Sequence, residues 1–334
     1  MKQPLKWDSD IDSAQRASRV VALRCVDSVA DAYDHVRKSD PESIHRFRLE
    51  LRRLRSWMQV YAPVLDDTVR TRTIRRLRLI ARATTDVRDL DVQIAWLRNE
   101  TDALGESRLE AAKWIVKSLK QERKSAWRRF QKLIDRHYAT VERRLQRELT
   151  FYNVHRDVRK TERAARMRPV TAGVLLAQTA VLSTALGRIR SADDTRRLHR
   201  ARIVAKRLRY VIEALEPHFE DTRTAVEYLA RFQDMVGELR DAQLLAHRVS
   251  REVTTVVAER TALVASELVY HPATVTDFSR VVMESPFDRS LSLLFARLHD
   301  RIGVASQDVS AWLKQTRSRD WTMTIMRPLD LETK

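Results

Sequence analysis

Two stretches of this 334-residue chain read nearly alike: DPESIHRFRLELRRLRSWMQVYAP at 40–63 and DTRRLHRARIVAKRLRYVIEALEP at 194–217. A constant offset of 154 carries Asp40 onto Asp194, His45 onto His199, Arg48 onto Arg202 and Arg52 onto Lys206. The same offset takes Arg53 to Arg207, Arg55 to Arg209 and Pro63 to Pro217. A duplication of this kind restricts the fold to one that uses the same supersecondary unit twice.

Each copy is bounded as a helix is. An Asp stands at the N-cap position, Pro41 fills the first helical position of copy one, and a proline follows the last turn. Ile44, Phe47, Leu51, Leu54 and Met58 recur at the spacing of one helical face, and Leu198, Ala201, Ala205, Leu208 and Ile212 repeat it. This is the core-facing stripe. One residue on, about 100° round the helix, runs a second line: His45, Arg48, Arg52 and Arg55, matched by His199, Arg202, Lys206 and Arg209. Along it no acidic residue is expected four positions away. Like charges at that spacing destabilise a helix by a few tenths of a kcal/mol per pair, so a polyanion is the natural partner of the line. The competing reading is of arginines snorkelling from a core boundary.

The material for any other fold class is scarce. Five glycines and eight prolines leave little for hairpins or a sandwich, and 43% hydrophobic residues supply cores, so the chain reads as all-α. The net charge of +18 is spread, with +11 over residues 1–150 and +7 over the rest, which rules out a mere basic tail. Such a balance concentrates polyanions and makes their binding salt-sensitive. Arginine outnumbers lysine in both repeated helices, as bidentate phosphate contacts favour. One cysteine, Cys25 in an apolar run, excludes an internal disulfide and a cysteine-built metal site. The N-terminal stretch lacks an apolar signal core, and no stretch approaches the length of a membrane span. A cytoplasmic protein is expected.

In order along the chain, helices are expected over 9–38, over 41 to about 62, and from an Asp66-Asp67 cap through the basic face of Arg75, Arg78 and Arg82. Arg88-Asp89 in TTDVRDLDVQ matches Arg240-Asp241 in VGELRDAQLL, which keeps 43 and 41 residues between histidine and arginine in the two copies. The arginine is expected to join the cationic line. The aspartate is open to two roles, orienting a histidine or arginine across a bundle or forming a plain interhelical ion pair. A helical pattern over Glu106–Arg168 places a break near Asn153, and the line Lys113, Lys117, Lys120, Lys124 within it reads as a solvated face. The second half opens at Pro169 with a helix over 170–188. The organisation is thus a first helical-bundle repeat at 1–160, a second at 161–302, and a tail at 303–334 that docks or lies loose.

No Gly-rich phosphate loop, HExxH, CxxC or GxSxG occurs. His45 and His199 lack a matched histidine or carboxylate at ligand spacing, and arginine neighbours disfavour both a protonated imidazole and a divalent metal. Binding without catalysis, cofactor or metal is the expectation.

The paired signatures IHRFRLELRRLR and LHRARIVAKRLRY, each followed by its Arg-Asp segment, resemble the CHAD family, the conserved histidine α-helical domain, over about residues 9–300. Its second-copy motif H-x-x-R-x-x-x-K-R-L-R-Y at His199–Tyr210 is specific. The resemblance implies two four-helix bundles related by a pseudo-twofold and a basic surface that binds inorganic polyphosphate. The site it implies is His45, Arg48, Arg52, Arg53, Arg55, His199, Arg202, Lys206, Arg207 and Arg209, to which the Arg-Asp segments add Arg88 and Arg240. Copy one has Thr85-Asp86-Val87 where copy two has Gly237-Glu238-Leu239, so a glycine-marked helix break is expected only in the second. The ExExK signature of the triphosphate-tunnel domain that some members carry is missing here. Binding of inorganic polyphosphate in a basic cleft or pore lined by the two repeated helices, with association to polyphosphate granules, is the function implied. The rival is a single-stranded nucleic-acid binder, against which stands the scarcity of stacking aromatics, Phe47 alone between Ile44 and Arg55 and on the core stripe. A helical scaffold kept soluble by its charge is the third reading.

Overall fold

The computed structural model describes residues 13–36, 40–65, 68–104, 110–155, 165–216, 222–270, 286–317 and 321–326. Among them there is no strand, only an isolated bridge between Ser13 and Arg166. The helices are α1 (Ala14–Val36), α2 (Pro41–Val60), α3 (Ala62–Leu65), α4 (Thr71–Leu104), α5 (Glu110–His155), α6 (Met167–Gly187), α7 (Thr195–Leu215), α8 (Thr222–Tyr270), α9 (Pro286–Arg317) and α10 (Trp321–Met326). The chain is all-α, as its composition and periodicity predict.

Both repeated helices start where the duplicated Asp stands. Asp40 accepts from the Ser43 N–H at 2.8 Å and Asp194 from the Arg197 N–H at 3.4 Å. Their apolar stripes are buried throughout. Some boundaries match the sequence reading and others differ. Pro63 stands just past α2, which ends at Val60, and also sits in the first turn of the short α3, where no N–H is needed. Pro169 likewise sits in the first turn of α6, which begins at Met167. The break placed near Asn153 falls within two residues of the end of α5 at His155, and the residues that follow lie outside those described. Gly237 does not interrupt α8, so copy one's lack of that glycine makes no difference to continuity. The Asp66-Asp67 cap lies outside the described residues. The start of α4 does show Glu148 of α5 accepting from the Arg70 N–H at 3.1 Å.

Two compact units divide the chain, and each draws on both repeats. The first comprises Met1–Arg88, Ala126–Val236 and Val309–Lys334, the second Asp89–Ser125 and Gly237–Asp308. In the first, α2 packs on α1 and on α7, and α6 packs on α7. Trp57 ties α2 to α1 by donating its indole N–H to the Ser18 carbonyl at 2.8 Å, and it stacks on Tyr61 at 4.1 Å between ring centroids. Tyr61 in turn shares a 3.1 Å hydrogen bond with Thr171 of α6. Trp312 and Trp321 of the tail dock here. Trp312 stacks on Phe232 at 4.5 Å, Trp321 lies parallel to Tyr228, and α9 runs through residue 303 without a break.

In the second unit Arg123 pairs with Asp91, Arg248 with Glu122 and Glu252, and Arg301 lies over Trp96 at 5.2 Å. An interhelical ion pair of the kind considered for Asp89 is made by Asp91, two residues further on.

One helix corrects the membrane reading. α6, 21 residues with mean hydropathy 1.5, is long and apolar enough to cross a membrane by length and composition. Its Met167, Thr171, Leu175, Leu182 and Leu186 are buried in the first unit.

Candidate functional site

The packing of α2 on α7 brings the two cationic lines to one place. Because the apolar stripes fill the core, Arg48, Arg52 and Arg55 on α2 and His199, Arg202, Lys206 and Arg209 on α7 are held half-buried at its edge, while His45 at the start of the α2 line is exposed. Between the helices opens a cleft of about 280 Å³. From α2 it is lined by Arg52, Arg55, Ser56 and Gln59, and from α7 by His199, Arg202, Ile203, Lys206, Arg207 and Tyr210.

The cations in and around the cleft act on one another. Burial, with Arg202, Arg52, Arg48 and Arg209 around it, pushes the Lys206 ammonium down to about 6. Burial also lowers Arg55, helped by Arg78, Arg52, Arg82 and Arg207, and burial alone lowers Arg207. His45 is held below its ordinary range by burial and by Arg88, Arg52 and Arg48, against which Glu42 works. That influence places Arg88 beside the cationic line, as the sequence predicts. Among the described residues no carboxylate comes within ion-pair distance of Arg52, Arg55, Lys206 or Arg207.

Two of the other arginines are aimed by neutral groups. Arg48 donates to the Thr85 hydroxyl, which itself donates to the Ala81 carbonyl at 3.2 Å. Arg202 donates through Nε to the Gln233 carbonyl at 3.0 Å. Such bonds fix the direction of a guanidinium.

Arg53 and Arg209 are placed differently, and here the sequence reading is corrected. Glu213 accepts from Arg53 at 3.1 Å and lies 3.1 Å from Arg209 Nε, four residues before it on α7, so the second line does end on an acidic partner. Arg53 also pairs with Glu50 at 2.9 Å. Burial works against the charge of Arg53, yet Glu50 and Glu213 outweigh it and hold the group above its ordinary value. Arg209 lies over the Tyr210 ring at 5.1 Å. Arg53 thus joins α2 to α7 through Glu213, while Arg209 shares that carboxylate from within α7. Replacing Glu213 by Gln is expected to destabilise the protein by about 1–2 kcal/mol, since it leaves two half-buried guanidiniums without their shared countercharge. A urea melt of Glu213→Gln checks this, and unchanged stability would count against the bridging role. Arg240 is half-buried on α8 and belongs to the second unit.

The sequence reading did not put Gln59, Ser56 and Tyr210 at the site, nor Arg78 and Arg82 beside Arg55. The spacing of Arg75, Arg78 and Arg82 was the available signal for the last two. Lys113, Lys117, Lys120 and Lys124 are all exposed, as a solvated face requires.

With this geometry in view the comparisons are specific. The CHAD domain model matches residues 21–250, and the chain belongs to the CHAD family. Its fold is similar to a crystal structure of the CHAD domain from the plant Ricinus communis, with TM-score 0.58 and 21% identity over 85% of this chain and 95% of that one. It is also similar to PptA from Streptomyces chartreusis, with TM-score 0.58 and 13% identity over 91% of this chain and 100% of the other. No curated protein matches it in sequence.

Proposed function

We propose that this protein binds inorganic polyphosphate in the cleft between α2 and α7, as a binding protein rather than an enzyme. The observation that carries the reading is the convergence of Arg52, Arg55, Lys206 and Arg207 on one cleft with no carboxylate in ion-pair range among the described residues. A cluster of this kind is costly when empty, and a chain of phosphates supplies the missing charge at every point along it. From residue 45 to 55 the α2 line extends about 15 Å at the helical rise, a track rather than a point. Its donors are guanidiniums, which suit phosphate oxygens two at a time. A cytoplasmic location and association with polyphosphate granules go with this proposal.

Single-stranded nucleic acid fits less well. Its recognition uses exposed rings as stacking platforms, and the aromatic residue lining this cleft, Tyr210, is 4% exposed and covered by Arg209. The test is calorimetric titration with long-chain polyphosphate at several salt concentrations, followed by competition with single-stranded DNA and RNA of equal charge. The expected result is an affinity whose logarithm falls linearly with the logarithm of salt, with weak competition by either nucleic acid. Nucleic acid that displaces polyphosphate at equal charge would overturn the assignment.

A further inference from the structure

Beside the cleft, and sharing Arg55 and Gln59 with it, lies a second cavity of about 240 Å³. Its character is different. Met58, Leu65, Val69, Ile74 and Leu77 contribute aliphatic walls, of which Met58, Leu65 and Leu77 are buried. Arg78 is exposed, so the charged side of the cavity faces solvent and the apolar side faces the core. Neither Arg55 nor Arg78 has a carboxylate in ion-pair range among the described residues. The hydroxyl in the wall, Thr68, already donates to the Leu65 carbonyl.

Those features select an occupant. A purine or sugar would give up several hydrogen bonds to water and find few replacements among these walls. An alkyl chain gives up none and removes apolar surface from water. The two guanidiniums call for an anion at the chain's head. We propose that this cavity takes the tail of a single-chain amphiphile whose phosphate or phosphate-ester head sits between Arg55 and Arg78. This does not depend on the polyphosphate reading, although the two sites share Arg55.

The probes are inorganic phosphate, butyl phosphate and octyl phosphate below its micelle concentration, titrated calorimetrically into the full chain. Each methylene that leaves water should tighten binding by roughly two- to fourfold, so octyl phosphate is expected to bind at least about tenfold tighter than butyl phosphate. Ala62 lines the cavity and is exposed, so Ala62→Trp fills it without touching the core. That variant should lose the octyl advantage and keep its polyphosphate affinity within about twofold. Nuclear Overhauser contacts between the octyl chain and the methyl groups of Met58, Leu65 and Leu77 in the unmodified chain give a reading that needs no variant. Equal binding of butyl and octyl phosphate, an octyl advantage that survives Ala62→Trp, or contacts elsewhere would each overturn the assignment.

Vesicles containing phosphatidic acid separate the two sources of such a head and tail. If Ala62→Trp loses octyl phosphate alone, the ligand is a free amphiphile; if it loses vesicle binding as well, the ligand is a bilayer lipid, and either outcome supports the cavity. Octyl phosphate binding without polyphosphate binding would leave this inference standing and the proposed function fallen, and the reverse pattern would do the opposite.

Discussion

Changing Arg52, Arg55 and Arg207 together to Gln is expected to weaken polyphosphate binding by about a thousandfold or more, with the melting temperature unchanged or raised. The estimate follows from charge-assisted contacts worth about 1.5–3 kcal/mol each, discounted because neighbouring contacts in one cluster do not add. Stability should survive because these side chains hold no carboxylate among the described residues and repel one another, as the lowered Arg55 and its four cationic neighbours show. Glutamine keeps a polar stem at the core boundary while removing the charge. The control is Lys113, Lys117 and Lys120 to Gln, which removes the same charge from an exposed face. It is expected to weaken binding only several-fold, by loss of general attraction. Calorimetry at fixed salt reads both. Equal losses in the two triples would mean that affinity comes from net charge and that the cleft is not the site.

How far the sequence anticipates this site depends on what kind of information each residue needs. The buried stripes and the two Asp caps were legible because they are local: helical spacing and an N-terminal side chain settle them. The meeting of the two cationic lines was legible through duplication, since two copies of one amphipathic helix call for similar neighbours. The pairing of Arg53 with Glu213 was not, because Glu213 reaches α2 only once α7 lies beside it and a step of 160 residues leaves no periodic trace; Arg209 and Glu213 stand four apart on one helix, and that spacing was the available signal for their pair. The aliphatic cavity was equally hidden. Its walls come from the end of α2, from α3 and its following turn, and from the start of α4, so its existence depends on how those segments pack. The tail's docking was left open by its lack of a copy, and aromatic stacking of Trp312 and Trp321 decides it.

Lys206 gives the second large effect, because it sets stability against binding. Its folded value of about 6 stands below an ordinary 10.5, owing first to burial and then to Arg202, Arg52, Arg48 and Arg209. Between those two values the unfolded chain holds a proton that the folded chain has given up. Folding stability therefore rises with pH across the window, by at most about 1.4 kcal/mol per unit, and the penalty is greatest below pH 6. Replacing Lys206 by Met removes that penalty at similar volume. The variant is expected to be more stable by about 1–3 kcal/mol at pH 7 once solvent screening of a half-buried group is allowed for. Its stability curve from pH 6 to 10 should be flatter than that of the unmodified chain.

Binding should move the other way. A phosphate chain in the cleft favours the ammonium, so the unmodified protein takes up a proton on binding, and its affinity should grow as pH falls from 9 toward 6, by at most about tenfold per unit. His45, held below its ordinary 6.5, adds only at the acid end of that range. In Lys206→Met the pH dependence should flatten, and the loss of affinity should be largest at pH 6 and smallest at pH 9. Urea melts across the pH range and titrations in two buffers of different ionisation enthalpy read the two effects separately. A residue kept for packing would lose stability when changed and leave proton uptake untouched. A variant that gains stability and loses its proton-linked affinity marks a lysine whose charge is wanted only when a polyanion is there to meet it.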